Sequence, residues 1–386
     1  MRRAGGRGGV QVTGGAEDIA RRKGEHLQLA AEGDVETRAS PGWEDVHLIH
    51  DALPSIDAAA VDLSATFLGH KLRLPLVISG MTGGHGRAIA VNELLARVAE
   101  RAGIAIGVGS QRAALRDPSL IPTYAVVREA APHAFVIANV GISQLVKQGS
   151  EPALAAKDVR TIVQMVGADA LALHLNYLEE SVQPEGQTRA TGSEAAVRAL
   201  VKASPVPVIA KETGAGISRA VALRLRRLGI AAIDVGGVGG TSFAAIEALR
   251  AASAGDALRM SLGERFRDWG LPTAVAVVGA SGARLPVIAT GGVRSGLDAA
   301  KALALGATVV GVGRPLLQAA LQGEAACLAW LAAFELELRT AVFLTGIKRA
   351  SNLRNTPVVL TGRSRAWIDQ LAYRRANIGS SRARSS

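Results

Sequence analysis

The stretch LPVIATGGVRSGLDAAKALALGATVVGVGRP, residues 285–315, contains two short apolar runs separated by one amphipathic segment. The runs Val287–Thr290 and Val309–Val312 are rich in β-branched residues and are followed by glycines, a pattern that predicts two buried strands. The periodicity of Leu297–Leu305 predicts a helix between them. Two strands joined by one crossover helix form a parallel βαβ unit. The glycine loops after both strands predict an anion site built from backbone amides.

The same alternation extends backwards to residue 74. Six further strands are predicted at Leu76–Ser79, Ile104–Val108, Phe135–Asn139, Ala170–His174, Val206–Lys211 and Ala231–Val235. The other predicted helices are Ala88–Arg101, Ser119–Glu129, Ala153–Val166, Ser193–Lys202, Ser218–Leu228, Thr273–Ala280 and Leu316–Leu321. Eight strand–helix units at this spacing favour an α/β fold of the (β/α)8 TIM-barrel type.

A doubly wound open sheet is the alternative, because its local pattern is the same. No GxGxxG motif joins the first strand to the first helix, which argues against it. We therefore expect a single barrel domain over residues 16–373. Residues 16–73 are expected to form an N-terminal extension that covers the barrel bottom or reaches a neighbouring site. The long connection Gly236–Pro272 after strand six is expected to be a lid or a subunit contact.

Polar or glycine-rich clusters follow every predicted strand, as the chemistry of a barrel requires. In chain order they are SGMTGGHG (79–86), GSQR (109–112), ANVG (138–141), HLNYLEESVQPEG (174–186), KETGAGIS (211–218), VGGVGGTS (235–242), ATGGVRSG (289–296) and GVGRP (311–315). The last two predict a phosphate-bearing ligand at one side of the barrel mouth.

The formal charge of +11 is unevenly distributed. Seven arginines lie in residues 1–15 and 374–386, which contain no acidic residue, and their removal leaves +4 for residues 16–373. We expect both termini to be disordered basic tails. The chain has no apolar run of membrane-spanning length and no secretory signal, and the only cysteine is Cys327. These features predict a cytoplasmic protein without a membrane partner.

The motifs, taken together, resemble those of the type 2 isopentenyl-diphosphate isomerases, which use FMN. The resemblance covers residues 19–373 and rests on RRKGEH (21–26), SGMTGG, GSQR, HLN…QPEG, KETGAGIS, GGTS, DWGLPT (268–273) and GGVRSGLDAAKALALGA (291–307), all in the order of the family. It implies a TIM barrel that binds FMN and interconverts isopentenyl and dimethylallyl diphosphate. It also implies Mg²⁺, NADPH as the reductant of the flavin, and a homo-oligomer, either a tetramer or an octamer.

The resemblance also implies roles for individual residues. Those expected to bind FMN are Ser79, Gly80, Met81, Thr82, Ser110, Asn139, Lys211, Thr241, Gly292, Val293, Arg294, Gly313 and Arg314. Those expected to bind the substrate are Arg22, Lys23, Ser110, Gln111, Arg112 and Glu179. The catalytic set is His174, Asn176, Glu179 and Lys211, and Glu180 is the expected Mg²⁺ ligand.

Elementary chemistry supports these groups. A diphosphate carries about three negative charges, which suits paired cations and a divalent metal. His174 and Asn176 fall on one side of a strand because side chains alternate. An ammonium at position 211 can stabilise negative charge on a reduced flavin. Each residue also has a structural alternative: His174 could be a core histidine, and Arg22 and Lys23 could belong to a solvated charge run.

Two positions depart from the family pattern. The family usually has Gln at the position of Glu179, and many members have Arg at the position of Val238. The first departure lies at the expected reaction centre, and the second is expected to matter little.

Two rival functions are considered. An FMN oxidoreductase on the same barrel, acting on a small 2-hydroxy acid, would share the phosphate loops but would not need the GSQR and HLN…EE clusters. An RNA-binding protein would need exposed aromatic residues beside the basic tails, and only thirteen Phe, Tyr and Trp residues are present. The sequence therefore predicts no nucleic-acid partner.

Overall fold

The structure, a computed structural model, describes residues 16–373 of the 386, with side chains from residue 22 onward. Both predicted tails, 1–15 and 374–386, lie outside the described residues. No helix within the described part of the chain is both long and apolar enough to span a bilayer.

Eight parallel strands close into a barrel, which confirms the predicted fold. The strands are β1 (Leu76–Ile78), β2 (Ala105–Gly107), β3 (Val136–Gly141), β4 (Ala170–Leu175), β5 (Val208–Glu212), β6 (Ala232–Asp234), β7 (Val287–Thr290) and β8 (Val309–Val312). Leu76 of β1 pairs with Val310 of β8 and completes the ring. The bounds of β7 and β8 coincide with the prediction, and those of the other strands differ by at most two residues.

The strand register sets the height of the polar side chains. His174 of β4 lies beside Gly141 of β3 on one side and Lys211 of β5 on the other. Lys211 is in turn paired with Asp234 of β6. Four neighbouring strands therefore present these residues at one level, at their carboxyl ends.

Helices surround the barrel. They are α1 (Ala16–Glu32), α2 (Ala88–Ala102), α3 (Arg112–Arg116), α4 (Pro122–Ala130), α5 (Ala156–Met165), α6 (Tyr177–Val182), α7 (Ser193–Ala203), α8 (Arg219–Arg227), α9 (Phe243–Ser253), α10 (Ala257–Arg265), α11 (Thr273–Ser281), α12 (Gly296–Ala304), α13 (Arg314–Gln322), α14 (Glu324–Phe343) and α15 (Gly362–Gln370). The connection after β6, expected to be a lid or a subunit contact, folds into α9 and α10, which pack against each other.

The N-terminal extension contributes to both ends of the barrel. Its antiparallel hairpin, Ala65–Phe67 with His70–Leu72, packs against apolar residues at the amino ends of the strands and closes the bottom. Phe67 is fully buried, and its ring meets that of Phe135 with the two centroids 5.7 Å apart. Burial of such a side chain contributes roughly 1.5–3 kcal/mol. Helix α1 lies instead at the opposite, functional end, where it contacts α3, α9 and α13.

Candidate active site

A cavity of about 250 Å³ lies at the carboxyl ends of the strands beneath α1. It brings together most of the residues singled out from the sequence: Arg22, Lys23, Ser79, Gly80, Met81, Thr82, Ser110, Arg112, Asn139, His174, Asn176, Glu179, Glu180, Lys211, Thr241, Gly313 and Arg314. Segments far apart in the chain thus meet in one space, as the barrel mouth requires.

A second cavity of about 120 Å³ adjoins the first and contains the remaining predicted flavin residues, Gly292, Val293 and Arg294. Glycine is the commonest residue in its wall. At Gly292, with φ +67°, a Cβ atom would lie 2.4 Å from the carbonyl oxygen of Gly239, so no larger residue fits. The N-terminus of α13 follows Gly313 in the same wall, which suits an anion.

The two cavities adjoin each other and differ in their lining. Ser79, Lys211, Thr213, Thr241, Gly313 and Arg314 line both of them. An elongated ligand with a ring system at one end and a phosphate at the other would place the phosphate against the glycine loops and the rings beside Lys211. FMN has this shape, so the residues present fit the flavin.

Lys211 is held in place by an acidic residue that the sequence reading did not single out. Its Nζ atom lies 3.1 Å from Oδ2 of Asp234, and it also donates to the carbonyl oxygen of Glu212 at 3.3 Å. Asp234 is buried and accepts a hydrogen bond on Oδ1 from the hydroxyl of Thr290. The ammonium therefore has a fixed position between the two cavities.

His174 has a defined tautomer. Asn139 donates its side-chain amide to the carbonyl oxygen of Val108 at 2.9 Å, which leaves its Oδ1 atom as an acceptor. Nδ1 of His174 lies 2.8 Å from that oxygen and must donate to it. Burial, reinforced by Lys211, Lys23 and Arg112, lowers the pKa of His174 to about 3. The imidazole is therefore neutral near pH 7, with Nε2 as an acceptor.

Glu179 belongs to a cluster of proton-exchanging groups. Among the residues that the structure describes, ligating atoms of Glu179, His26 and Glu247 lie within 4.8 Å of one another. Nε2 of His26 is 2.7 Å from Oε1 of Glu247, whose other oxygen accepts from Arg250 at 2.7 Å. Burial raises the pKa of Glu179 to about 7. The position where this chain departs from the family pattern thus faces the cavity from within this cluster.

Glu180 is a buried carboxylate in the wall of the cavity. The backbone amide of Gln187 donates to Oε2 of Glu180 at 2.7 Å, and Nδ2 of Asn176 donates to Oε1 at 3.3 Å. The side-chain carbonyl oxygens of both Asn176 and Gln187 are buried and have no hydrogen-bond partner within the described residues. Carboxylate and amide carbonyl oxygens are ligand types that Mg²⁺ takes, so the chemistry of Glu180 and Asn176 in the cavity wall suits the metal.

Three cations line the side of the cavity nearest α1. Lys23 donates to the carbonyl oxygen of Gly83 at 3.1 Å and to the hydroxyl of Tyr124 at 2.6 Å. Burial, with the charges of Arg22 and Arg112 nearby, lowers the pKa of Lys23 to about 7. Arg112 forms an ion pair with Glu151. Arg22 lies 3.6 Å from Glu185. The acids offset part of the charge of the two arginines, and the lowered pKa of Lys23 shows that the three cations still repel one another.

Gln111 does not reach the cavity, although the motif GSQR made it a candidate. Its side chain is fully buried, donates to the carbonyl oxygen of Ile162 at 2.8 Å and accepts from the backbone amide of Asn139 at 2.9 Å. The prediction that Gln111 binds the substrate is therefore wrong. Its side chain instead fixes the strand that carries Asn139. Its neighbours Ser110 and Arg112 do line the cavity.

Arg294 and Arg314 reach the smaller cavity but are not free there. Both form ion pairs with Glu36 of the N-terminal extension, at 2.9 Å and 3.1 Å. Glu36 was not predicted as a site residue, because no pattern in the neighbouring sequence indicates that this acid pairs with arginines at an anion site. Asp234 and Glu247 were missed for a related reason, since each acts through a partner distant in sequence.

Comparison with known proteins agrees with the site. A family model described as FMN-dependent dehydrogenase matches residues 160–360. The chain is also similar to solved oxidases: a mandelate oxidase at 20% identity with a TM-score of 0.59, covering 90% of this chain and 99% of that one, and a lactate oxidase of Pediococcus acidilactici at 16% identity with a TM-score of 0.62, covering 90% and 94%. At these identities the likeness concerns the fold alone.

Curated relatives are much nearer. The isopentenyl-diphosphate delta-isomerase of Methanoregula boonei is 48% identical over 351 residues, covering 90% of this chain and 96% of that protein. The isopentenyl-diphosphate delta-isomerase of Archaeoglobus fulgidus is 47% identical over 350 residues, covering 91% and 98%. Identity and coverage at this level show that the chain belongs to the isopentenyl-diphosphate delta-isomerase family.

Proposed function

We propose that this protein interconverts isopentenyl and dimethylallyl diphosphate, with FMN and Mg²⁺ bound in the two joined cavities. The observation that carries the proposal is that Arg22, Lys23 and Arg112 line the same cavity as Lys211 and His174. A 2-hydroxy acid carries one negative charge and needs one cation. A diphosphate carries about three and suits this group.

The reaction moves a double bond by one carbon, so one proton is added and another is removed. Reduced FMN, when bound, would supply an acid–base group for these proton transfers. Lys211, fixed by Asp234, would stabilise negative charge on the flavin. NADPH, or another reductant, would be needed only to prime the flavin, because the isomerisation has no net electron transfer.

The chain's own residues bind and orient the substrate. Arg22, Lys23, Ser110 and Arg112 hold the diphosphate, and Glu180 holds the Mg²⁺ that neutralises it. Asn176 donates to Glu179 at 3.0 Å and fixes the orientation of that carboxyl. Glu179, with His26 and Glu247 behind it, can pass a proton to or from the reacting carbons. His174, as a neutral imidazole, flanks the substrate without adding a charge.

The residues proposed to contact the flavin are the ones predicted from the sequence. Ser79, Gly80, Met81, Thr82, Ser110, Asn139, Lys211 and Thr241 line the ring and ribityl part, and Gly292, Val293 and Gly313 offer backbone amides to the phosphate. Arg294 and Arg314 add positive charge at that end. The proposal also includes a cytoplasmic homo-oligomer, a tetramer or an octamer, which light scattering would test.

The decisive experiment is anaerobic incubation of the purified protein with FMN, NADPH, Mg²⁺ and isopentenyl diphosphate. We expect dimethylallyl diphosphate to form with far less NADPH consumed than product made. The rival oxidoreductase is assayed in parallel with lactate or mandelate and an electron acceptor. Oxidation of the acid without isomerisation of the diphosphate would overturn the proposal.

A further inference from the structure

The C-terminal end of α1 is held by a residue of the flavin cavity. The guanidinium of Arg314 donates from Nε to the carbonyl oxygen of Ala30 and from Nη2 to that of Gly33, both at 2.8 Å. Its third nitrogen, Nη1, forms the ion pair with Glu36. All three nitrogens of Arg314 thus contact the segment from Ala30 to Glu36, and its side chain is only 17% exposed.

These bonds serve a need that α1 cannot meet by itself. The last carbonyls of a helix lack partners within the helix, and a cation near them is favourable. The last turn of α1 contains no basic residue. Arg314 supplies the missing cation from α13, and Gln318, one turn further along α13, donates to the carbonyl oxygen of Ala31 at 3.0 Å.

Among the α1 side chains that the structure describes, from Arg22 onward, few apolar ones are buried. Leu27 and Ala31 form a small buried cluster with Leu317 of α13, and Ala30, Met81 and Val91 pack against it partly buried. This cluster is much smaller than the core of the barrel, so it contributes correspondingly less. The polar contacts of Arg314 are therefore a large part of what holds this end of α1.

The same helix carries the substrate cations on its other half. Arg22, Lys23 and His26 lie on the same face of α1 as Leu27 and Ala30, and this face lines the cavity. Positions three, four or eight apart in a helix share a face. Ala30 is about 12 Å along the helix axis from Arg22. A change in the direction of α1 at its C-terminal end therefore displaces the cations from the cavity.

We propose that Arg314 is a positioning residue for the substrate: its guanidinium clamps α1, while the flavin phosphate is bound at that end by backbone amides and Arg294. The inference rests on the proposed function, in which α1 grips the diphosphate. The side chain of Arg314 thus has, besides its charge near the flavin phosphate, a second role in substrate affinity.

The test compares three variants of the full chain, loaded with FMN. Arg314→Met removes every donor, and Arg314→Lys keeps the charge but cannot reach three oxygens. Arg294→Met is the matched control, because Arg294 pairs with Glu36 but contacts no carbonyl of α1. The readouts are hydrogen exchange of the amides of residues 22–32, the dissociation constant of FMN, and KM and kcat for isopentenyl diphosphate.

We expect both Arg314 variants to accelerate exchange in α1 and to raise KM by at least about tenfold, the effect of losing a single charge-assisted hydrogen bond, with the larger rise in Arg314→Met and a smaller change in kcat. Arg294→Met should weaken FMN binding and leave exchange in α1 as in the unmodified protein. The inference is overturned if Arg314→Met weakens FMN binding while exchange in α1 stays unchanged. The exchange result stands apart from the activity, so failure of the proposed isomerase function would be recognised separately.

Discussion

The two sides of the barrel mouth are lined by different groups. On the side of β6 to β8, the wall of the smaller cavity is rich in glycine backbone, and two of its side-chain charges, Arg294 and Arg314, are paired with Glu36. On the side of β3 to β5, the wall consists of titratable or amide side chains: Asn139, His174, Glu179 and Lys211. Backbone can bind an anion but cannot exchange protons, whereas side chains can do both. We therefore expect the glycine-rich side to affect mainly the binding of the cofactor phosphate, and the side-chain side to affect mainly the chemistry.

Lys211→Ala tests the side of the barrel mouth that is lined by side chains, and it should have the largest effect on turnover. Removal of a fixed charge at the reacting ring should lower kcat about 10²- to 10³-fold and make the bound flavin harder to reduce. Steady-state kinetics and a flavin reduction titration measure both. Lys202→Ala, at an exposed position on α7, is the control. Normal turnover and an unchanged reduction titration would remove Lys211 from the mechanism.

Glu179→Gln restores the residue usual in the family and should lower kcat by roughly tenfold to a hundredfold if Glu179 transfers a proton. The neighbouring change Glu180→Gln should instead raise the Mg²⁺ concentration needed for half-maximal rate. The two titrations with Mg²⁺, run side by side, separate the roles. Equal turnover for Glu179→Gln and the unmodified protein would leave the flavin as the acid.

Gly292→Ala tests the glycine-rich side of the barrel mouth. The new methyl group would meet the carbonyl oxygen of Gly239 at a positive φ, which should raise the FMN dissociation constant by about tenfold with kcat at saturating FMN nearly unchanged. Gly255→Ala is a matched control, since Gly255 also has a positive φ of +74° but no atom within 4 Å of the added carbon. Fluorescence titration of FMN measures both. Identical constants for the two variants would mean that the glycine wall does not face the phosphate.

The smallest effect concerns pH. The pKa of Lys23 in the free protein is lowered to about 7, so its charge is present below pH 7 and is lost above it. We expect kcat/KM for the diphosphate to fall by about fivefold as the pH rises from 7 to 9, the contribution of one charged contact. Lys23→Arg should remove this decline, because guanidinium stays charged. A decline of the same size in Lys23→Arg would assign it to another group.

The sequence predicted the barrel well, because each strand is a short apolar run closed by glycine or a polar cluster, a local signal. It also predicted which loops meet, since all carboxyl ends lie on one rim. The prediction failed where a side chain points away from the cavity, or where its partner is distant in the sequence. Gln111 sits between two cavity residues but serves β3, and Glu36 reaches Arg294 across most of the chain. Such contacts depend on tertiary packing alone.

The hairpin at the bottom of the barrel also bears on how the chain folds. Closure requires Leu76 to pair with Val310, a contact between the first and last strands that comes with a large loss of chain entropy. Phe67 can pack on Phe135 much sooner, because the two are closer in sequence. We expect the hairpin to pack against the first strands of the barrel, and so to stabilise their curvature, before the last strands pair. Kinetic refolding of Phe67→Ala should then show a slower folding phase, and not only a faster unfolding one.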